Sequence, residues 1–398
     1  MILTSVVISA HYRSIQEVIH SGIAVVWAQN EDLGRALYNA NDFILNGAGF
    51  DHERRIKDTI FSSFDSVVMI NVYPTDENKS NQAISRLSGR GTGFFVKVDE
   101  DTALIMTNHH VVDSYINNPS VMQIGVNTAI DMWSYKATLV GSDPIADIAI
   151  IKISKQDNED WTALEFADYK DISEGDPVVV IGHGMGMPWN NTQGIVTYDG
   201  RYGQRPYALM IQTDAVINQG NSGGPMLGMD GKVIGIAQSI LSPGRKIPGW
   251  DGVGLAVHSR QAVRTYNYIM SDNYAEKGYV PYNEFAIVAR NVELDKVKHI
   301  AKKDRYLAYI DYTDLPNGAA PSAGQIAGLL QGDILLELNG EKLFSTWKLM
   351  IDAVYALPGD VMTIKVLRGT QELTIEVTYR ETDYTKLLAL VSGRYSGR

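Results

Sequence analysis

The feature of this 398-residue sequence that most restricts its fold is one serine set among glycines, in Ile217-Asn218-Gln219-Gly220-Asn221-Ser222-Gly223-Gly224-Pro225. A serine hydroxyl is a poor nucleophile unless a base takes its proton and N–H groups stabilise the oxyanion that forms. Glycine on both sides permits a sharp turn and lets the N–H groups of Gly220 and Ser222 converge on one point. Alone, such a segment reads more readily as a surface turn. Two upstream segments decide. Leu104–Val112 ends an apolar run in Thr107-Asn108-His109-His110-Val111, and Asp143-Pro144-Ile145-Ala146-Asp147 stands directly before the strand-like run Ile148–Lys152. A histidine, an acid and a serine so far apart act together only if the fold gathers them, and their order along the chain separates the folds that do so.

The three segments resemble the HtrA/Deg family of trypsin-like serine proteases, whose patterns run T-N-x-H-V, D-x-A-V-L-K and G-N-S-G-G-P. His, Asp, Ser is the chymotrypsin order, and the resemblance extends from about Phe64 to Tyr379. It implies that Ser222 is the nucleophile, His110 the general base and Asp147 the acid that orients the imidazole. His109 fills the variable position of T-N-x-H-V and is the rival base; strand alternation would point it away from its neighbour. Asp143, beside Pro144, reads as a turn residue. The oxyanion hole is expected from the N–H groups of Gly220 and Ser222, with Asn221 between them. Many trypsin-like zymogens carry an aspartate before the serine, which pairs with a newly cut N-terminus. Asn221 cannot form that ion pair, so loop rearrangement is the expected route to activation.

Length allows two or three domains with real cores. Hydrophobic residues at 45% and charged ones at 20% fit an ordinary globular protein. The formal net charge of −11 argues against nucleic acid as a main partner. Without cysteine there are no disulfides, no thiol catalysis and no thiolate metal sites. His109-His110 lacks the further ligands a metal needs, and no cofactor is expected. Ile2–Ala10 is mostly apolar but lacks the preceding cation of a signal peptide, and Ser21–Ala28 has Glu17 and His20 where its hydrophobic region should begin. Neither run reaches the roughly 20 residues of a membrane span. The resemblance implies a periplasmic or cell-envelope location.

Residues 1–62 form an extension without a counterpart in the family pattern, with Asp32–Leu45 expected to be helical. From Ser66 short apolar runs broken by Gly, Asn and Asp point to all-β structure. Ser66–Val72, Gly91–Lys97, Ala103–Thr107, Lys136–Val140 and Ile148–Ile153 are the expected strands of a first barrel. Val178–Ile181, Gln193–Tyr198, Leu209–Gln212, Lys232–Ile240 and Gly252–Val257 are those of a second. The expected fold is mainly β: a chymotrypsin-like double barrel over 63–260, a helical connector over 261–280, a PDZ domain over 281–380 and a tail over 381–398. Gly328-Leu329-Leu330-Gln331-Gly332-Asp333, followed by Leu338-Asn339-Gly340, resembles a PDZ core. In the carboxylate-binding loop Phe285-Ala286-Ile287 places alanine where PDZ domains of this family usually carry glycine.

Val216 and Ile217 stand about six residues before the nucleophile, where a preference for Arg or Lys would need a carboxylate. With Ile240 and Leu241 on the opposite wall by resemblance, they imply aliphatic side chains at the cleaved position; the alternative is that they are plain core residues. Gly182-His183-Gly184-Met185-Gly186 lacks the spacing of a dinucleotide loop. By resemblance Gly182, Gly184 and Gly186 belong to an activation loop, and Arg201 is either the arginine that relays activation or a solvated surface residue. The implied function is an ATP-independent serine endopeptidase, PDZ-regulated, acting on unfolded polypeptides and recognising peptide C-termini, in a homo-oligomer of three or more copies. The alternative is a latent protease acting as a peptide-binding chaperone or assembly scaffold.

Overall fold

The structure, a computed structural model, describes residues 51–75, 87–128, 134–156, 159–183, 189–202, 208–238, 253–284, 289–291, 308–310, 321–343, 349, 351 and 354–395. The helix expected over Asp32–Leu45, the glycines 184 and 186, Ile240, Leu241 and Phe285-Ala286-Ile287 lie outside those residues. The chain divides into two compact units, Met1–Asp58 and Thr59–Arg398. Helix α1 runs Asp51–Ser63.

Within the larger unit two six-stranded sheets close into barrels. The first joins β1 (Val67–Pro74), β2 (Gly89–Val98), β3 (Thr102–Thr107), β6 (Ile148–Ser154), β5 (Ser134–Asp143) and β4 (Met122–Asn127) in that spatial order. Its strands are rich in branched apolar residues, and β3 is buried along nearly its whole length, because one face fills the barrel while the other meets neighbouring elements. Phe95 stacks on Trp161 at 4.9 Å inside this core. Helix α2 (His109–Asn117) follows β3 directly.

The second barrel orders β10 (Pro225–Leu227), β11 (Val233–Gln238), β12 (Gly254–His258), β9 (Leu209–Thr213), β8 (Asn190–Tyr202) and β7 (Pro177–Gly182). Both barrels match the expected architecture, with β4 and β10 as additions that sequence reading passed over.

The expected single connector helix is two. Helix α3 (Ser259–Ile269) stops at the Met270–Ser271 turn, and α4 (Asp272–Lys277) ends at Gly278, whose left-handed backbone (φ 73°) closes it. A third sheet follows, ordered β13 (Ala289–Asn291), β14 (Ala308–Ile310), β15 (Ile334–Leu338), β17 (Val361–Arg368) and β18 (Gln371–Thr378), with β16 (Glu341–Lys342) paired to β15. A short helix α5 (Ala323–Ile326) begins in a capping box made by Ser322 and Gln325. This sheet, with its own core of Leu335, Leu338, Ile364 and Val366, is the element expected of a PDZ domain. The tail carries a helix, α6 (Tyr384–Tyr395), that sequence reading did not anticipate.

Candidate active site

His110 and Asp147 come from one barrel, Ser222 from the other. β3 ends at Thr107, Asn108 takes an extended backbone as the residue before α2, and His109 and His110 are the first two helical residues. The two histidines therefore diverge by the roughly 100° between consecutive helical residues, not by the strand alternation expected from sequence. His110 Nδ1 lies 2.8 Å from Asp147 Oδ2, and its backbone N–H donates to Asp147 Oδ1 at 3.0 Å. The Asp147 side chain is fully buried while that of His110 keeps 30% of its surface exposed, so the imidazole has one guarded end and one open end.

Asp147 has a left-handed backbone, φ 62°, uncommon for a residue with a side chain. Its peptide carbonyl is held in place by the Asn108 side-chain amide at 2.9 Å and by the His109 N–H at 3.1 Å. Gln238, at the end of β11, donates Nε2 to Asp147 Oδ2 at 2.5 Å. Consecutive residues 108, 109 and 110 thus all grip the acid, which explains why asparagine precedes the histidines. Asp143 is a turn residue, as expected: its Oδ1 accepts from the N–H groups of Ile145 and Ala146 at 3.0 and 3.1 Å.

Ser222 is 3% exposed and sits in a turn pressed against β2 and β3. Its carbonyl accepts from the Thr92 N–H at 2.8 Å. Gly223 has φ 86°, and a Cβ there would lie 2.2 Å from both Thr107 Oγ1 and the Thr92 carbonyl. Only glycine lets this turn approach the first barrel so closely. The N–H of Asn221 is used within the turn on the Asn218 carbonyl at 3.0 Å, and that of Gly223 on the Ala237 carbonyl at 2.8 Å. The Asn221 side chain is buried beside Gly182, and its amide atoms have no hydrogen-bond partner among the described residues.

Thr92 is the hinge pin of this turn. Its hydroxyl donates to the Gly220 carbonyl at 2.7 Å and accepts from the His183 N–H at 3.0 Å. His183 Nδ1 is 3.1 Å from the same hydroxyl. Since the hydroxyl proton goes to Gly220, Nδ1 must carry its own proton and Nε2 must be the bare nitrogen. Burial first, then the Arg90 charge, lowers the His183 pKa to about 4. Trp189 packs on His183 with ring centres 5.0 Å apart, and Phe64 packs on Trp189 at 5.5 Å.

Of the remaining expected site residues, Ile217 is buried in the second-barrel core. Val216 is half exposed, its carbonyl accepting from Thr192 Oγ1 at 2.8 Å. Gly182 closes β7, and Arg201 lies on β8 opposite Met210. Sequence reasoning missed Thr92, Asn108, His183 and Gln238. Asn108 was signalled by its place in T-N-x-H, and Thr92 by its glycine neighbours; Gln238 left no local signal.

Residues 91–236 match the model of the trypsin-like peptidase domain. Over 297 residues the sequence is 30% identical to the periplasmic serine endoprotease DegP of Escherichia coli (strain K12), covering 74% of this chain and 58% of that protein. It is 33% identical over 291 residues to the probable periplasmic serine endoprotease DegP-like of Chlamydia muridarum, covering 73% and 53%. The chain therefore spans little more than half the length of these relatives. Among solved structures, the HtrA-type protease AlgW with tripeptide aligns with a TM-score of 0.58 at 25% identity, over 82% of this chain and 97% of that one. The same protease with decapeptide gives 0.54 at 22%, a likeness of fold.

Proposed function

The chain belongs to the HtrA/Deg family of trypsin-like serine proteases, and from that premise we propose that it is an ATP-independent serine endopeptidase of unfolded polypeptides. The observation that carries the reading is the 2.8 Å pairing of His110 with a buried Asp147, on the barrel against which the Ser222 turn is pressed. Asp147 Oδ2 holds the proton on Nδ1, which leaves Nε2 of His110 as the lone pair that takes the Ser222 proton. Ser222 Oγ attacks the scissile carbonyl, the N–H groups of Gly220 and Ser222 receive the oxyanion, and His110 returns the proton to the leaving amine. Water then repeats the sequence to release the acyl group.

Cleavage follows aliphatic residues such as Val, Ile, Ala or Leu. A charged side chain taken into an apolar pocket without a partner would cost several kcal/mol. The similarity to periplasmic serine endoproteases makes the periplasm the natural compartment for this chain as well. The C-terminal sheet acts as a PDZ domain that binds peptides and regulates the protease, and the chain works as a homo-oligomer.

Digestion of casein, with mass-spectrometric mapping of the cuts, tests the proposal. The wild type degrades casein with most cuts after aliphatic residues, and Ser222→Ala leaves it intact. Equal degradation by Ser222→Ala would remove the nucleophile assignment. A majority of cuts after Arg or Lys would remove the pocket assignment.

A further inference from the structure

Asp143 does more than fold its own turn. It lies wholly buried at the end of β5, and Pro144 to Asp147 form the turn that leads from it to the catalytic acid. One carboxylate oxygen, Oδ1, is used on that turn, as described above. The other, Oδ2, accepts from two side chains of other elements: Thr265 Oγ1 on α3 at 3.1 Å and the Tyr282 hydroxyl at 2.6 Å. A single carboxylate therefore joins the turn bearing Asp147 to the segment that leads into the C-terminal sheet.

Tyr282 is itself fixed from several sides. It is fully buried, and its hydroxyl accepts from Gln261 Nε2 at 3.1 Å. The Arg264 guanidinium stands 4.8 Å from its ring centre. Arg264 donates to the carbonyl of Pro281 at 2.7 Å, and to those of Tyr355 and Ala356 in the C-terminal domain at 3.3 and 3.4 Å. Asn283 Nδ2 donates to the Ala356 carbonyl as well, at 2.7 Å. Burial pushes the Asp143 carboxyl above its ordinary range, while the Tyr282 hydroxyl, the turn N–H, Arg264 and Thr265 pull it down. Removing the Tyr282 hydroxyl leaves Oδ2 with Thr265 as its one remaining donor of the two, at 3.1 Å, so the buried carboxylate and its turn shift to compensate.

We propose that Tyr282 is a positioning residue for the catalytic acid: held at the junction with the C-terminal domain, its hydroxyl fixes Asp143 and thereby the turn that aims Asp147 at His110. The protease domain is then completed, at its acid, by a residue lying beyond its own barrels. This deepens the endopeptidase reading, but its first test does not depend on turnover.

The test uses the full chain. In Ser222→Ala protein the proton between His110 Nδ1 and Asp147 Oδ2 should give a low-field proton NMR resonance. Adding Tyr282→Phe, which keeps the ring and removes the hydroxyl, should shift or broaden that signal. Tyr279→Phe is the control; it removes a hydroxyl on the same segment that donates to Glu381 at 2.8 Å instead, and should leave the signal unchanged. In the otherwise wild-type chain, Tyr282→Phe should lower kcat on a short peptide by about tenfold to a hundredfold with KM little changed, as expected when a catalytic group is misplaced. An unmoved resonance in folded Tyr282→Phe overturns the proposal whether or not the protein cleaves peptides. An unaltered kcat in an active enzyme does the same. If Tyr282→Phe does not fold, Arg264→Lys, which keeps the cation but loses the fork on Pro281 and Ala356, is read by the same two measurements.

Discussion

Asp147 shows how much of the site is built around one strained residue. A left-handed backbone at a residue with a side chain costs on the order of 1–3 kcal/mol and persists only where neighbours over-determine it. Here Asn108 Nδ2 and the His109 N–H hold the carbonyl, and His110 and Gln238 hold the carboxylate. Asn108→Ala should therefore lower kcat by about tenfold to a hundredfold with the fold retained. His109→Ala should be mild, because the bond it supplies to Asp147 is made by its backbone and survives the substitution. His110→Ala should abolish proteolysis, since triad members act as a unit and losing one costs on the order of 10⁴-fold or more. Steady-state rates on one peptide substrate compare all three; a dead His109→Ala beside an active His110→Ala would reverse the assignment of the base. His110 and Asp147 were legible in the sequence because each sits in a short pattern that carries its own neighbours. Gln238 was not, because its partner lies 91 positions away and is met only when the two barrels dock.

The Ser222 turn is an element whose shape depends on a strand of the other barrel. Thr92 joins the Gly220 carbonyl to His183, so one hydroxyl on β2 links β7 to the turn that would receive the oxyanion. That link has a pH signature. The His183 pKa is lowered to about 4 in the folded protein from an ordinary 6.5, so between those values the unfolded chain binds a proton that the native state refuses. Stability due to His183 is therefore present above pH 6.5 and is lost as the pH falls toward 4. The full span corresponds to about 3 kcal/mol at 1.36 kcal/mol per unit. His183→Asn cannot titrate, and its urea midpoint should fall less between pH 7 and pH 4.5 than that of the wild type. Parallel declines would show that His183 does not carry the dependence. Strands such as β3 and β6 were readable because long runs of branched apolar residues leave few alternatives. β10 was not, since it is three residues long and opens on proline, a residue confined to strand ends and edges. The connector read as one helix because its periodicity continues across Ser271, where an extended residue starts a second one.

The whole molecule carries two closed barrels and a third sheet on one chain. The sequence made the sheet readable through Gly332, Asp333 and Asn339-Gly340, and the structure shows what Asp333 and Asn339 do there. Asp333 holds Arg368 in a two-pronged pair, with Nε at 2.8 Å and Nη2 at 2.7 Å. Asn339 takes a left-handed backbone (φ 50°) in the turn after β15. If the sheet is a PDZ domain, an extended peptide adds to its edge and biases the protease toward its competent state. Bringing one oxyanion donor into place is worth roughly 3 kcal/mol, about a hundredfold in rate. Peptides with apolar C-termini, titrated against the full chain, should therefore raise cleavage of a separate reporter. By resemblance Ala286 takes the glycine position of a carboxylate-binding loop, so on this proposal amidated peptides should retain most of the effect. The variants divide the response in two. Arg201→Ala, on the proposed relay, should lower the stimulated rate more than the basal one, whereas Tyr282→Phe, acting on the acid in every state, should lower both by the same factor. If no peptide changes the rate and Arg201→Ala leaves it unaltered, the protease is constitutive and the C-terminal sheet serves another purpose.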